Sequence, residues 1–165
     1  MIDAERLKNL EDKPKRDEDY LLYWIQASPR THYNHALEYS IKMANKLEKP
    51  LLTYFGLVKF PEANEMHYKF LLKGLKDLKS SLENRGIQFL LRLSSPPEGA
   101  VELAENASML NTDRGYLEIL RIWIEKVIQR VKCPLMQIET NVMVPVEVTS
   151  FKEKYSLPLS ARRLI

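Results

Sequence analysis

The segment Tyr20–Leu37, YLLYWIQASPRTHYNHAL, constrains the fold most, because an apolar run, a polar loop with Arg30 and an amphipathic start follow one another without a gap. The run from Tyr20 to Ile25 lacks polar alternation, which is typical of a strand covered on both faces. Apolar residues at helical spacing come next, before Pro50. A strand, a loop and a helix in this order predict an α/β unit. Its loop would lie at the carboxyl edge of a parallel sheet, which is where open α/β folds bind their ligands.

The same alternation continues along the chain. Apolar runs predict further strands at 51–57, 87–93, 109–110 and 135–138. Amphipathic segments between them predict covering helices, one of which ends at Gly86. Ser95 before two prolines predicts the start of another, with the hydroxyl as its cap. Right-handed crossovers then favour an α/β fold: a three-layer open sheet of about five parallel strands in the order 3-2-1-4-5, with helices on both faces.

Length and composition set the domain organisation. A chain of 165 residues is suited to one domain with a real core. Residues 1–19 carry charge and few apolar positions, so we predict a partly ordered N-terminal arm. Residues 20–150 form the predicted α/β domain, including a further short extended piece at 141–148. Residues 151–165 are interpreted as an interdomain linker.

Charge and cysteine content exclude several classes of function. The 25 Lys and Arg residues against 22 Asp and Glu leave a net charge of +3, which is too small to indicate a nucleic-acid partner. A single cysteine, Cys133, excludes an internal disulfide. No apolar run approaches the ~20 residues that cross a bilayer, so we expect a cytoplasmic protein without a membrane partner.

The candidate ligand site is the crevice between the first and fourth predicted strands, where the strand order reverses. Neither GxGxxG nor GxxxxGK[ST] occurs, so a dinucleotide site or a P-loop is not expected. The loops that border this crevice contribute Gln26, Ser28, Arg30 and Asn34 from one side and Asp113, Arg114 and Gly115 from the other.

Several ordered blocks resemble the amino-terminal domain of class II cyclobutane pyrimidine dimer photolyases. They are Tyr20–Leu37, FPEANEMHYKFLLKGLKDL, SSPPEGAVELA, TDRGYL, VPVE and KEKYSLPLSARRL, and together they cover almost the whole chain. The resemblance implies a lyase family, deoxyribodipyrimidine photo-lyase, that performs light-dependent DNA repair. In that family a separate helical domain holds FAD and the lesion. FAD is therefore not expected on this chain, and repair by this chain alone is not expected either.

The resemblance also implies an antenna chromophore in the crevice, either an 8-hydroxydeazaflavin or a methenyltetrahydrofolate. Asp113 and Gly115 match a family pattern that contacts the antenna. The other assignments are geometric expectations: an apolar slot from Phe55, Leu57, Leu93 and Tyr116, with Ser94 and Ser95 as further hydrogen-bonding groups. Trp24 is expected in the core, inside its strand run.

A structural interpretation competes for each of these residues. Arg30 and Asn34 would then only brace the loop and cap the first helix, and Asp113 would only cap the helix that follows it. His32 and His35 share a helix face but lack further ligands at a recognisable spacing, so a metal site is not predicted. The sequence contains no nucleophile with an evident base, so hydrolysis is not predicted.

The chain departs from the family pattern in two places, one that bears on its partners and one that bears on its ligand. The predicted helix 116–131 spreads Ile119, Ile122, Trp123 and Ile124 around more of its surface than one stripe needs. We therefore expect a homodimer through this helix or a separate helical FAD-domain partner. Asn141 stands where the family commonly has an acid, which weakens the case for antenna binding.

Three hypotheses remain at this point. The first is a photolyase-family light-harvesting module, the second a nucleotide-binding adaptor of the same α/β type, and the third a chromophore-free interaction protein. DNA binding by the chain alone is expected to be weak or absent, because the basic residues are scattered among acids.

Overall fold

The computed structural model describes residues 2–14, 16–60 and 63–146. A single 3-10 turn at Ala4–Arg6 precedes the first strand. The strands are β1 (Leu7–Glu11), β2 (Tyr20–Trp24), β3 (Leu51–Leu57), β4 (Gln88–Leu93), β5 (Ala107–Asp113) and β6 (Leu135–Ile138). The helices are α1 (His35–Leu47), α2 (Glu65–Glu83), α3 (Pro96–Ala104) and α4 (Glu118–Ile128).

The strands form one six-stranded sheet in the order β1-β6-β5-β2-β3-β4. Strands β2 to β6 are parallel to one another, and their order is the predicted 3-2-1-4-5. The predicted α/β fold class is therefore confirmed. The point where the strand order reverses lies between β2 and β5, so the loops after these two strands diverge there.

The N-terminal arm contributes the sixth strand, which the sequence did not predict. β1 pairs antiparallel with β6, and the register shifts between Asn9 and Glu11. Its five residues LKNLE are too polar to show the apolar run that identifies a buried strand. At the other end, residues 141–146 form bends and no strand, while 147 and 148 lie outside the described residues, as does the predicted linker at 151–165.

Alternate side chains of β2 enter two separate cores. Leu21 and Tyr23 pack with residues of α1 and α2 on one face of the sheet. Leu22 and Trp24 pack with residues of α3 and α4 on the other face, so the predicted core position of Trp24 is confirmed. A parallel strand with helices on both sides needs this continuous apolar run, and burying one large side chain contributes about 1.5–3 kcal/mol.

The helix ends agree only in part with their sequence signals, and the helix predicted at 116–131 is shorter, at Glu118–Ile128. Gly86 follows α2 at φ 71°, the left-handed conformation that glycine adopts without strain. Asn64 and His67 form a reciprocal capping box at the start of α2. Ser95 does precede α3, but its hydroxyl makes no capping hydrogen bond, so that detail of the prediction is wrong.

In the part of the chain that the structure describes, no helix is long and apolar enough to cross a bilayer. Within the same residues, no three His, Cys, Asp or Glu side chains are grouped as metal ligands.

Candidate functional site

A cavity of about 450 Å³ opens at the carboxyl ends of β2 and β3, beneath the start of α4. It is lined by Trp24, Ile25, Gln26, Ala27, Phe55, Gly56, Leu57, Val58, Phe60, Leu71, Pro96, Tyr116, Leu117, Ile119, Leu120, Trp123 and Asn141. Small-molecule sites in proteins have volumes of roughly 300–1,000 Å³ and mostly apolar linings. The cavity therefore has the size and the character of a site for a planar organic ligand.

The wall on the α4 side is apolar and open to solvent. The rings of Phe60 and Trp123 lie with their centroids 6.4 Å apart, tilted by 38°. Leu117 is 68% exposed, and Tyr116 and Ile119 are also exposed. This side of the cavity is called the apolar wall (Phe60, Tyr116, Leu117, Ile119 and Trp123), and most of its large side chains remain exposed to solvent.

The opposite side is the loop after β2, and a buried carboxylate holds it in place. Asp113, at the end of β5, accepts the backbone N–H of Gln26 at 2.8 Å with one oxygen and that of Ala27 at 2.7 Å with the other. Its side chain is fully buried. The structural alternative, in which Asp113 caps the following helix, is therefore wrong. Asp113 instead joins the two diverging loops at the switch point.

Burial and hydrogen bonding act in opposite directions on Asp113. Burial raises the pKa of its carboxyl above 3.8, while the N–H groups of Gln26 and Ala27 lower the pKa by stabilising the charge. The net shift is upward. Burial likewise raises the pKa of Tyr23 well above its usual value, so this hydroxyl stays protonated under ordinary conditions.

Asn34 holds the far end of the same loop. Its side-chain oxygen accepts the N–H of Leu37 at 2.9 Å and so caps α1. Its amide group donates to the carbonyl oxygens of Ser28 at 3.1 Å and Arg30 at 2.8 Å. Asn34 is buried, so the bracing and capping role expected of it is what the structure shows.

Asn141 connects this loop to the segment after β6. Its Oδ1 accepts from the hydroxyl of Ser28 at 2.6 Å and from Nη1 of Arg30 at 3.1 Å. The Thr140 hydroxyl accepts the N–H of Ala36 at 3.1 Å in the same region. We call the loop at 26–34 together with Asp113, Thr140 and Asn141 the polar wall. Its members bond to one another across three separate parts of the chain.

The family model described as DNA photolyase matches residues 21–159, which is most of the chain. The chain belongs to the DNA photolyase family. The matched part corresponds to the amino-terminal domain of photolyases, as the sequence resemblance implied.

Two photolyase relatives show the extent of the match. The deoxyribodipyrimidine photo-lyase of Methanothermobacter thermautotrophicus is 49% identical over 158 residues, which cover 94% of this chain and 36% of that protein. The Arabidopsis thaliana enzyme of the same name is 28% identical over 141 residues, covering 82% of this chain and 28% of that protein. The chain thus spans about a third of the length of these photolyases.

Solved structures with the same fold include universal stress proteins. One from Archaeoglobus fulgidus has a TM-score of 0.52 at 15% identity and covers 72% of this chain and 98% of its own. A putative universal stress protein from Pseudomonas aeruginosa has a TM-score of 0.55 at 8% identity and covers 76% of this chain and 50% of its own. At these identities the likeness supports the α/β fold of this photolyase domain and nothing further.

The remaining predicted site residues of the photolyase domain divide by location. Gln26 and Phe55 line the cavity, together with the Leu57 and Tyr116 of the expected slot. Ser94, Ser95 and Leu93 do not line it, and Leu93 is 82% exposed on the sheet edge. The structure therefore brings together the loop after β2, the end of β3 and the start of α4.

Arg114 and Gly115 face a different part of the molecule. Arg114 forms an ion pair with the buried Glu139 at 3.5 Å and lies 5.4 Å from the Tyr116 ring centroid. A side chain at Gly115 would come within 2.4 Å of Leu120. Gly115 therefore allows the start of α4 to pack against the turn after β5, and Arg114 fixes the direction of that turn.

The sequence did not identify most of the cavity residues as site residues, and Trp24, Trp123 and Asn141 are polar or aromatic examples. Trp24 lies in a strand run and was assigned to the core, where it does lie, but it also lines the cavity. Trp123 and Asn141 line it as well. For Trp123 the signal was the excess apolar surface of its helix. For Asn141 no local pattern exists, because its partners lie more than a hundred residues earlier.

Proposed function

We propose that this chain is the light-harvesting domain of a class II photolyase system and that its cavity binds an 8-hydroxydeazaflavin or a methenyltetrahydrofolate. The observation that carries the proposal is the largely apolar cavity of about 450 Å³ at the carboxyl edge of a photolyase-family sheet, at the ends of β2 and β3 and beside the switch point. An antenna needs no catalytic group. It needs an apolar slot for a flat ring and polar groups that fix its orientation.

Two buried polar atoms at the cavity support a ligand of this kind. The indole N–H of Trp24 and Oε1 of Gln26 have no hydrogen-bond partner among the described residues. Buried polar groups are normally paired, so such atoms indicate a missing water or ligand. Both atoms are shielded from solvent, so a carbonyl or N–H group of a deazaflavin or pterin ring would pair with them only where the ring displaces their neighbours. Gln26 itself is fixed by the bond from its Nε2 to Thr112 at 2.9 Å.

The test is retention of chromophore after the purified protein is incubated with each candidate and free ligand is removed. We expect a near-ultraviolet or visible absorption band that stays with the protein. Leu57→Glu places a charge in the cavity and should abolish retention, because the carboxylate loses its water when the ring enters. Leu91→Glu on the exposed edge strand is the matched control and should retain the chromophore. A colourless wild type after both incubations would overturn the proposal. A rise in the melting temperature of the protein with ATP or AMP would favour a nucleotide ligand instead.

The photolyase activity itself is proposed to require the FAD-holding helical domain that the resemblance implies. The chain covers 36% of the archaeal photolyase, which leaves room in that protein for a separate domain of the kind that the resemblance implies. We expect the 165 residues alone to leave cyclobutane dimers in an illuminated oligonucleotide unrepaired. Repair should appear when a helical FAD domain is supplied on the same chain or in trans. Repair by the 165 residues alone would contradict this.

We further propose that the outer face of α4 is a protein contact surface, used by a helical FAD domain or by a second copy of the chain. Tyr116, Leu117, Ile119 and Ile122 are all exposed there. Ile122→Glu changes a residue outside the cavity and should weaken association without changing chromophore retention. Light scattering across a concentration series, with and without the helical domain, distinguishes the two partners. A monomer in both series would overturn this proposal.

A further inference from the structure

We propose that Arg30 binds an anionic tail of the ligand whose ring occupies the cavity. This inference rests on the proposed function and deepens it, because it names a second chemical group that the ligand carries. The ligand would then be a planar heteroaromatic ring with a carboxylate or phosphate side chain. A neutral chromophore would use only the cavity.

The first reason is the set of groups around the Arg30 guanidinium. Its contacts are with neutral oxygens: Oδ1 of Asn141 at 3.1 Å, the carbonyl of Thr140 at 3.2 Å and the carbonyl of Tyr33 at 3.4 Å. Among the described residues, no ion pair joins it to a carboxylate. These contacts hold the guanidinium in place but leave its positive charge without compensation. A planar guanidinium binds carboxylate or phosphate oxygens through two parallel N–H groups.

The second reason is position. Asn141 lines the cavity, and its Oδ1 accepts from Arg30 at 3.1 Å. The guanidinium therefore lies directly behind a residue of the cavity rim. Arg30 is exposed, so an anionic group can reach it from solvent. An anion bound through two parallel N–H groups would replace the 3.4 Å contact of Nη2 with the Tyr33 carbonyl and leave the bond to Asn141 in place. Arg30 does not itself line the cavity, so a ligand tail would reach it only by leaving the cavity past Asn141.

The third reason is that the nearby acids already have partners. Asp113 accepts the N–H groups of Gln26 and Ala27. Glu139 is buried, pairs with Arg114 and accepts the N–H of Val146. Neither carboxylate is an ion-pair partner of Arg30. Because Asp113 and Glu139 are both buried, Arg30 is the one of these three charges that is exposed to solvent.

The experiment compares two ligands that differ only in the tail. The probes are 8-hydroxy-5-deazariboflavin, which is uncharged at its side chain, and its 5′-phosphate ester, titrated against the wild-type protein. We expect the ester to bind roughly tenfold to a hundredfold more tightly at low salt, as one charge-assisted pair predicts. Raising the salt concentration should shrink this ratio. Should the wild type retain the folate instead, the same comparison uses the folate and the diamide of its glutamate.

Variants of the arginine and its neighbour then assign the effect. Arg30→Gln should bring the ratio of the two affinities to about one, and Arg30→Lys should restore part of it. Asn141→Asp supplies the missing carboxylate beside Arg30 and should also lower the ratio, by competing with the ligand tail. Arg85→Gln is the control. Arg85 is an exposed arginine that lies outside the cavity and pairs with Glu38 at 2.9 Å, so its substitution should keep the wild-type ratio of the two affinities.

The outcomes separate this inference from the proposed function. Equal affinity of the wild type for both probes, or an unchanged ratio in Arg30→Gln, would overturn the role of Arg30 while the cavity remains a chromophore site. Failure of the wild type to bind any of the chromophores would overturn the proposed function, and this inference with it.

Discussion

The two walls of the cavity are built in opposite ways. The polar wall consists of short-range hydrogen bonds between buried groups, with Asp113, Asn34 and Asn141 at its centres. The apolar wall consists of large side chains that remain exposed, such as Leu117 and Tyr116. Most polar groups of the first wall are paired within the chain, with Oε1 of Gln26 as an exception, and the second wall has apolar surface still to bury. Substitutions in the polar wall should therefore affect stability, and substitutions in the apolar wall should affect binding.

This contrast follows from what backbone and side chain require. The loop after β2 is irregular, so its N–H and C=O groups have no ladder partners and must find side chains. Asp113 and Asn34 supply them at its two ends. In the apolar wall, Ile119 and Trp123 lie on α4, and Tyr116 and Leu117 come just before it. The exposed apolar side chains at this helix start are available for a ligand or a partner.

The largest effect on stability is expected for Asp113→Ala. The substitution leaves the N–H groups of Gln26 and Ala27 without their acceptor in a buried position. Each unsatisfied buried group costs about 1–3 kcal/mol, so we expect a loss of roughly 3 kcal/mol in the free energy of unfolding. Urea denaturation measures it. Asp113→Asn keeps one acceptor and should lose about half as much; equal losses would show that charge, and not acceptor count, is what matters.

A smaller loss is expected for Asn34→Ala, which removes the cap of α1 and two bonds to the loop carbonyls. Loss of an N-cap costs about 0.5–2 kcal/mol, and we expect a value near 2 because the side chain is buried. Asn34→Ser keeps the cap without reaching the carbonyls and should recover about half of the loss. The comparison uses the midpoint of thermal unfolding. A change of less than a few tenths of a kcal/mol in both variants would contradict the bracing role.

The pH dependence of the polar wall should be weaker still and has a defined sign. The folded-state pKa of Asp113 is raised above 3.8, so the folded chain holds this proton more tightly than the unfolded chain does. The stability it contributes is fully present below that unfolded value and is lost as the pH rises through the folded pKa. As the pH rises through this window, the free energy of unfolding of the wild type should therefore fall relative to that of Asp113→Asn. A flat or rising difference would show that the N–H bonds outweigh burial.

Prediction from sequence succeeded where local pattern decides the structure. The apolar runs of β2 and β3 identify buried strands, and the strand order follows from crossover geometry. Because the carboxyl ends of neighbouring parallel strands meet at one edge, Gln26 and Asp113 were expected near each other, and a 2.8 Å bond joins the Gln26 N–H to that carboxylate. The strand topology alone was enough to predict that these two residues lie close together.

Prediction failed where partners distant in sequence decide the structure. β1 exists because β6 offers it an edge, and its own residues are largely polar. Asn141 bonds to Ser28 and Arg30 through a bend with no regular pattern. Ser95 has the sequence of a cap, but its hydroxyl does not make the bond. In each case the information lies in tertiary contacts that a local window does not contain.

The smallest effect on stability is expected for Leu117→Glu in the apolar wall. Leu117 is 68% exposed, so the substitution removes little buried surface and should change the free energy of unfolding by no more than about 0.5 kcal/mol. Chromophore affinity should nevertheless fall at least about tenfold, because the carboxylate must lose water as the ring enters. Leu93→Glu, at a more exposed leucine outside the cavity, should change neither quantity. If Leu117→Glu destabilised the chain as strongly as Asn34→Ala, the apolar wall would be part of the folded core, and the division between a wall that holds the fold and a wall that binds would fail.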